Sequence, residues 1–234
     1  MPVWYLPDQY VFPHPLSASY EGILAIGGDL SPERLKLAYA YGIFPWYSSG
    51  DPILWWFPDP RCVIELSHIH VSRSMQKLLR QAPFQITFDQ AFDEVISICQ
   101  EIPRKGQTGT WIQPEMREAY SVFHDAGYAH SVEVWQDDKL VGGLYGVAMG
   151  KIFFGESMFS IVNNTSKYAL IMLSRFLQAE GFWLIDCQQD TPHIRQMGGV
   201  LVKAKDFHDT LARNRMIAPA PGKWTNKRTQ LHLP

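Results

Sequence analysis

Two short segments carry polar side chains at the ends of apolar runs, where chemistry is more plausible than packing. The first is LIDCQ, residues 184–188, which closes the apolar stretch Phe182–Ile185 with Asp186, Cys187 and Gln188. Read as a strand, it sends Asp186 and Gln188 to one side and Ile185 and Cys187 to the other. Cys187 is then a core residue rather than a nucleophile. A carboxylate at the end of a buried strand is costly unless it is partnered, and the amide of Gln188, two residues along on the same face, is placed to supply one bond. The second segment is GESMFS, residues 155–160, after the apolar Ile152–Phe154. Alternation groups Glu156 with Met158 and Ser160, a carboxylate beside a thioether, which suits a cation bordering an apolar pocket. The C-terminal ends of strands are where open α/β sheets place their ligand crevices.

Cations and aromatics outside these strands suggest a phosphate-bearing partner. Arg73, Lys77 and Arg80 stand at i, i+4 and i+7 of an expected helix over 72–81 and so share one face. From Leu201 onward seven Lys or Arg face only Asp206 and Asp209, although the net charge of the whole chain is −2. Local basic faces bind phosphates even where the total charge is near zero; solvated surface is the competing reading. Trp46, in GIFPW after a helix stop, and Trp111, in GTWI after a polar loop, stand at loop positions where a base could stack, although plugging a core is the commoner role of such a residue.

The elements that must position these residues follow from pattern. A chain of 234 residues with 46% apolar and 19% charged residues is an ordinary globular protein with room for a large core. No apolar run reaches the roughly 20 residues that span a bilayer, and the N-terminal stretch does not read as a signal peptide. Three scattered cysteines without a CxxC pair imply reduced thiols and a cytoplasmic setting. Helices are expected from Pro32 to Gly42, over 72–81, 90–101, 114–126 and 163–180, and briefly over 193–197. Strands are expected over 85–88, 131–135, 140–145, 151–160, 182–187 and 200–202. The first 60 residues, broken by Pro and Gly, read as turns around one helix. The fold class is therefore mixed, α+β or α/β, with a small Pro/Gly-rich unit over 1–65 and a catalytic unit over 66–234. From residue 131 the order strand, strand, helix, strand, helix, strand resembles the acetyl-CoA acyltransferase (GNAT-like) fold.

Taken together, GGDLSPERL (27–35), GIFPW (42–46), DPILWWFPDPR (51–61), GTWI (109–112), HSVEVW (130–135), GGLYGV (142–147), FGESMFS (154–160) and LIDCQ (184–188) resemble the bacterial leucyl/phenylalanyl-tRNA–protein transferases along nearly the whole chain. That resemblance implies a cytoplasmic aminoacyltransferase. It would take Leu or Phe, less readily Met, from aminoacyl-tRNA and join it to the α-amino group of proteins beginning with Arg or Lys, marking them for N-end-rule degradation. A small N-terminal domain and a GNAT-like C-terminal domain, no cofactor and no metal are implied too, and a monomer is expected. By the same resemblance Asp186 and Gln188 are the catalytic pair and Glu156 receives the acceptor. Leu144, Met158 and Leu170, with Ser160 among the substrate-binding residues, face the aminoacyl side chain. Trp46 and Trp111 hold the terminal adenosine, and Arg73, Lys77 and Arg80 meet tRNA phosphates.

The chemistry is consistent with these residue types. An aminoacyl ester is already activated, so orientation and removal of one proton suffice. The expectation is that Asp186 accepts a hydrogen bond from the Gln188 amide, which turns the amide oxygen toward the attacking amine. A carboxylate for the acceptor's Arg or Lys would come from Glu156 or Asp186. Three rivals are weaker. A CoA-dependent acyltransferase needs a glycine-rich turn where this chain has SIVNNTSKYAL; an RNA-binding protein leaves Asp186, Gln188 and Glu156 without work; a metal hydrolase would rest on Glu65, His68 and His70 alone.

Overall fold

The computed structural model describes residues 3–102 and 112–225. Residues 4–56 hold a four-stranded sheet wrapped around one helix. Its strands are β1 (Trp4–Leu6), β2 (Ile23–Gly27), β3 (Phe44–Pro45) and β4 (Leu54–Trp56), in the order β1-β2-β4-β3. Between β2 and β3 runs α1 (Pro32–Ala40). The Ser31 hydroxyl accepts from the Arg34 N–H, and Pro32 opens the first turn with its φ already helical. The helix is the one expected; the strands are not. With no more than five residues each, they are too short to show a period of two, and their prolines read as turns.

The second sheet has seven strands: β5 (Arg61–Glu65), β6 (Gln85–Phe88), β7 (Ala129–Gln136), β8 (Lys139–Met149), β9 (Ile152–Ser160), β10 (Leu184–Gln188) and β11 (Val200–Val202). They lie in the order β11-β5-β10-β9-β8-β7-β6. All neighbours are antiparallel except β9 and β10, which α5 (Thr165–Ala179) joins as a crossover. The chain enters this sheet at Arg61, a few residues before the boundary expected near residue 65.

Both faces are covered. On one, α1, α3 (Phe92–Glu101), α4 (Pro114–Asp125) and α7 (Ala204–Asn214) share a core with Val63, Tyr145 and Phe154, and the small sheet adds Trp55 and Phe57 to it. On the other, α2 (Arg73–Gln81) and α5 pack on Cys62, Ile64, Leu144 and Phe153. Alternation along β5 and β9 thus sends neighbouring residues to opposite cores. The entry to α5 is tight: a Cβ on Gly142 would lie 2.2 Å from the Thr165 hydroxyl, which donates to the Val141 carbonyl at 2.9 Å. Among the described residues no helix is long and apolar enough to cross a membrane.

The C-terminal segment after α7 is pinned by Trp224, which is buried in the second core. Its indole stacks on His130 at 3.7 Å and its backbone N–H donates to Asp89 at 2.7 Å. Burial alone would raise the Asp89 carboxyl, but His130 and the backbone donors of Trp224 and Ser131 hold it below the usual carboxylate range. Removing the indole by Trp224→Ala is expected to lower stability by about 3–5 kcal/mol. Urea unfolding with an unchanged slope and a lower midpoint would show it.

Candidate active site

A cavity of about 320 Å³ opens where β9 and β10 part. Their parallel pairing ends at Asp186↔Phe154, and beyond that pair both strands bulge against their other neighbours. In β9 the register with β8 passes from Gly146↔Gly155 to Tyr145↔Ser157, so Glu156 is the extra residue. In β10 the register with β5 passes from Asp186↔Val63 to Gln188↔Cys62, so Cys187 is the extra residue. A bulge leaves its extra residue outside the ladder and re-aims side chains. The β9 bulge needs glycine opposite it: a Cβ on Gly146 would sit 2.2 Å from the Phe154 carbonyl oxygen. In β10 the turn is sharper still, because Gln188 has φ +56°, a left-handed conformation uncommon for a residue with a side chain.

These bulges correct the arrangement expected from strict alternation. Asp186 and Gln188 do not share a face. Asp186 is fully buried behind the cavity, whereas both Cys187 and Gln188 line it. Asp186 does not take the Gln188 amide either; its partner is Arg61, also fully buried. Arg61 Nε donates to Asp186 Oδ1 at 2.8 Å and Nη2 donates to Oδ2 at 2.6 Å. Nη2 also donates to the Gly42 carbonyl at 2.8 Å. Around the guanidinium stand the rings of Phe44, Phe57 and Phe207, with centroids 4.8–5.5 Å away. What Asp186 offers Gln188 is a backbone contact: Oδ1 accepts the Gln188 N–H at 3.0 Å. The carboxylate therefore braces the left-handed backbone from which the amide projects.

The amide itself is held by Glu156. Gln188 Nε2 donates to Glu156 Oε1 at 3.1 Å, which turns the amide oxygen away from that carboxylate. Glu156 also accepts from two buried phenols, Tyr39 at 2.7 Å on Oε1 and Tyr120 at 3.3 Å on Oε2. Burial pushes the Glu156 carboxyl up to about 7, with the nearby Asp186 adding to the rise and the three donors opposing it. Burial, with Glu156 beside them, holds both phenols well above the usual tyrosine range, so they remain donors. Cys187 is only partly buried and lines the cavity, so it is not the core residue that alternation implied; desolvation nevertheless holds its thiol well above its ordinary value, which disfavours the nucleophilic thiolate.

Of the other residues picked out, Leu144, Met158, Leu170 and Trp46 line the cavity with Glu156 and Gln188. Trp46 is half-buried and tilts against Trp56 at 5.3 Å. Ser160 does not reach the cavity; it is exposed and bonds Thr165 and Ser166 at the entry to α5. Ser160 ends β9 beyond Met158 and is taken up by the first turn of α5. Arg73, Lys77 and Arg80 are exposed on α2, whose Met75 and Leu79 face the core. Trp111 lies outside the described residues. Glu65 and His68 form an exposed pair at 2.9 Å, and among the described residues no cluster of three or more His, Cys, Asp or Glu is placed to hold a metal. Three residues of the site escaped notice in the sequence: Arg61, Tyr39 and Tyr120. Asp186 demanded a partner, and Arg61, a cation opening the apolar run CVI, was the available signal. The tyrosines sit at core positions of α1 and α4 and carry no separate signal.

A family model described as leucyl/phenylalanyl-tRNA protein transferase matches residues 63–212, and one described as the N-terminal domain of the same protein matches 28–59. The chain is 48% identical over 227 residues to the leucyl/phenylalanyl-tRNA–protein transferase of Myxococcus xanthus, covering 96% of this chain and 97% of that protein. It is 53% identical over 220 residues to the one of Syntrophotalea carbinolica, covering 94% and 95%. It is 50% identical to the one of Syntrophus aciditrophicus, covering 100% and 98%. Among solved structures, L-PGS from Bacillus licheniformis is similar with a TM-score of 0.44 and 9% identity over 79% of this chain and 70% of that one. An aminoglycoside acetyltransferase from a soil metagenome in complex with trehalose is similar with a TM-score of 0.36 and 13% identity over 55% and 87%. Those two likenesses are too distant to bear on the site. Near-half identity along almost the full length of its relatives, with both family models matched, makes this chain a member of the leucyl/phenylalanyl-tRNA–protein transferase family and an aminoacyltransferase.

Proposed function

We propose that this protein transfers Leu or Phe, and less readily Met, from aminoacyl-tRNA to the α-amino group of proteins that begin with Arg or Lys. It would act in the cytoplasm, as a monomer and without a cofactor, and its products would enter N-end-rule degradation. The observation that carries this reading is a cavity with an apolar wall of Leu144, Met158 and Leu170 and a polar corner of Glu156 and Gln188. At about 320 Å³ it lies at the small end of the ~300–1,000 Å³ typical of ligand sites. That volume suits one amino-acid side chain and its ester. The adenosine is then left to Trp46, together with Trp111, and the phosphates to Arg73, Lys77 and Arg80 on α2.

The wall explains donor choice. An unbranched or γ-branched side chain extends along Leu144 and Met158, whereas branching at Cβ widens the chain next to the reacting carbonyl. The polar corner explains acceptor choice. Of the two carboxylates considered for a basic N-terminal residue, Asp186 is already neutralised by Arg61, and Glu156 is the one that opens to the cavity. With Nε2 committed to Glu156, the Gln188 oxygen is free to accept an N–H of the attacking amine and align its lone pair with the ester carbonyl. Asp186 serves this geometry through the backbone. The division near residue 65 into a small N-terminal unit and an acyltransferase-like unit is supported by strand order: an antiparallel β7-β8-β9 meander, α5, then β10 parallel to β9.

Single-turnover assays with an Arg-initiated peptide should give transfer from Leu- and Phe-tRNA, and about 10–200-fold less from Ile-tRNA. Equal rates with Ile-tRNA would remove the pocket assignment, and no transfer from any of the three would remove the function. A second expectation concerns Asp186. Arg61→Met leaves a buried carboxylate unpaired and should lower stability by about 3–5 kcal/mol in urea unfolding. The double variant Arg61→Met/Asp186→Leu should regain most of that stability while transfer stays low, because the brace under Gln188 is gone.

A further inference from the structure

Four elements bring four side chains together, two in the cavity wall and two behind it: Glu156 from β9 and Gln188 from β10, backed by Tyr39 from α1 and Tyr120 from α4. The two hydroxyls also touch each other, at 2.5 Å, so their two protons are shared between one carboxylate and one another. Neither tyrosine lines the cavity and both are fully buried. Packing alone would be served as well by phenylalanine. Two phenols aimed at one carboxylate that faces the substrate are an arrangement for setting how readily it takes up a proton.

We propose that Glu156 accepts the proton of the acceptor's α-ammonium group, and that Tyr39 and Tyr120 are positioning residues that keep it able to do so. This rests on the transfer reading above and adds the proton's path. The α-ammonium passes one proton to the Glu156 carboxylate and becomes a neutral amine, held by the Gln188 oxygen. The amine nitrogen bonds to the ester carbonyl carbon, and the bond from that carbon to the tRNA 3′ oxygen breaks. The second proton lost by nitrogen goes to the departing 3′ oxygen, which leaves as a hydroxyl. Glu156 then releases its proton to water, so one ammonium proton is liberated per peptide bond formed.

An α-ammonium group titrates at about 7.7–8, and a carboxyl raised to about 7 by its burial is matched to receive its proton near neutral pH. The ordinary carboxylate value of about 4.3 would make that acceptor several hundred-fold weaker. Among the described residues, Tyr39, Tyr120 and Gln188 donate to Glu156 and the Asp186 charge opposes its ionisation; the acceptor's Arg or Lys side chain, which Glu156 also receives, is common to every variant. Tyr145 on β8 packs edge-on against Tyr120, and Arg61 on β5 lies beyond Asp186.

The test is the pH profile of single-turnover transfer from Leu-tRNA at saturating acceptor peptide, corrected for ester hydrolysis. Tyr39→Phe or Tyr120→Phe removes a donor that favours the ionised carboxyl, so the acid limb should move alkaline by about one pH unit or more. The rate at pH 7 then falls about fivefold and is recovered by pH 9. The acceptor amine titrates identically in every variant, so the shift belongs to Glu156. Glu156→Gln should leave only the amine's own limb, at about 7.7–8, which Tyr39→Phe and Tyr120→Phe then no longer move. A fall that is uniform across pH, or a limb that does not move, overturns the proposal. Should either Phe variant fail to fold, an infrared titration of the wild type decides instead: the protonated-carboxyl band missing from Glu156→Gln must have a midpoint near neutral pH, and a midpoint below pH 5 overturns it. Wild-type protein that transfers from no aminoacyl-tRNA defeats the functional reading itself, a result distinct from either of these.

Discussion

The site depends on a guanidinium and a carboxylate taken wholly out of water. Burying either Arg61 or Asp186 by itself would cost several kcal/mol, and their attraction offsets this only where the geometry is good and the remaining polar atoms are satisfied. Here the pair is bidentate, the Gly42 carbonyl takes a further N–H, and three phenylalanine rings supply their faces to the cation, while Nη1 has no hydrogen-bond partner among the described residues. Those partners come from the turn after α1, from β3, from the residue that follows β4, from β10 and from α7. One interaction therefore locks the small sheet, the large sheet and the C-terminal helix to the same point. It also leaves one lone pair of Asp186 for the Gln188 N–H, so the lock bears directly on a residue of the cavity wall.

The cavity follows from where the two parallel strands stop pairing. Every other neighbour in the seven-stranded sheet is antiparallel, and a hydrogen-bonded ladder leaves no room for a substrate. β9 and β10 are joined by a crossover helix and hold together only as far as Asp186↔Phe154. Past that pair each strand follows its antiparallel neighbour, and each gains an extra residue in doing so. Parting and bulging are one event: strands that remained in register would close the gap. Glu156 and Cys187 are delivered to the cavity because the ladder has no place for them, and Gln188 because Asp186 stabilises the left-handed backbone at its root.

This explains which parts of the molecule were legible in the sequence. α5 declared itself through Leu170, Leu173 and Leu177 on one stripe, α2 through its basic face, and β10 through FWLI followed by polar residues. Those signals are local and periodic. The four short strands of the first sheet have too few residues for a period, and α7 lies in a stretch whose basic residues drew attention away from Phe207 and Leu211. Within the site, the types of residue could be read but not the pairing. Alternation assumes an unbroken ladder, and both site strands break theirs at the residues in question. Arg61 could have been sought, since a buried carboxylate requires a cation; Tyr39 and Tyr120 could not, because a tyrosine filling a core and a tyrosine serving a carboxylate occupy the same helical positions.

The same geometry gives two neighbouring carboxylates opposite tasks. Asp186 has a fixed countercharge in Arg61 and is shut away from the cavity, so its contacts belong to the fold. Among the described residues Glu156 has no countercharge in its contacts, only neutral donors, and it feels the charge of Asp186. Burial and that neighbour raise its carboxyl toward neutrality, while the phenols and the amide keep it from going further. A countercharge for one carboxylate and neutral donors for the other separate the group that holds structure from the group that faces substrate. The separation needs Arg61: without it the Asp186 carboxylate would stand buried and unpaired directly behind Glu156, a cost that the fold avoids only by keeping the pair together.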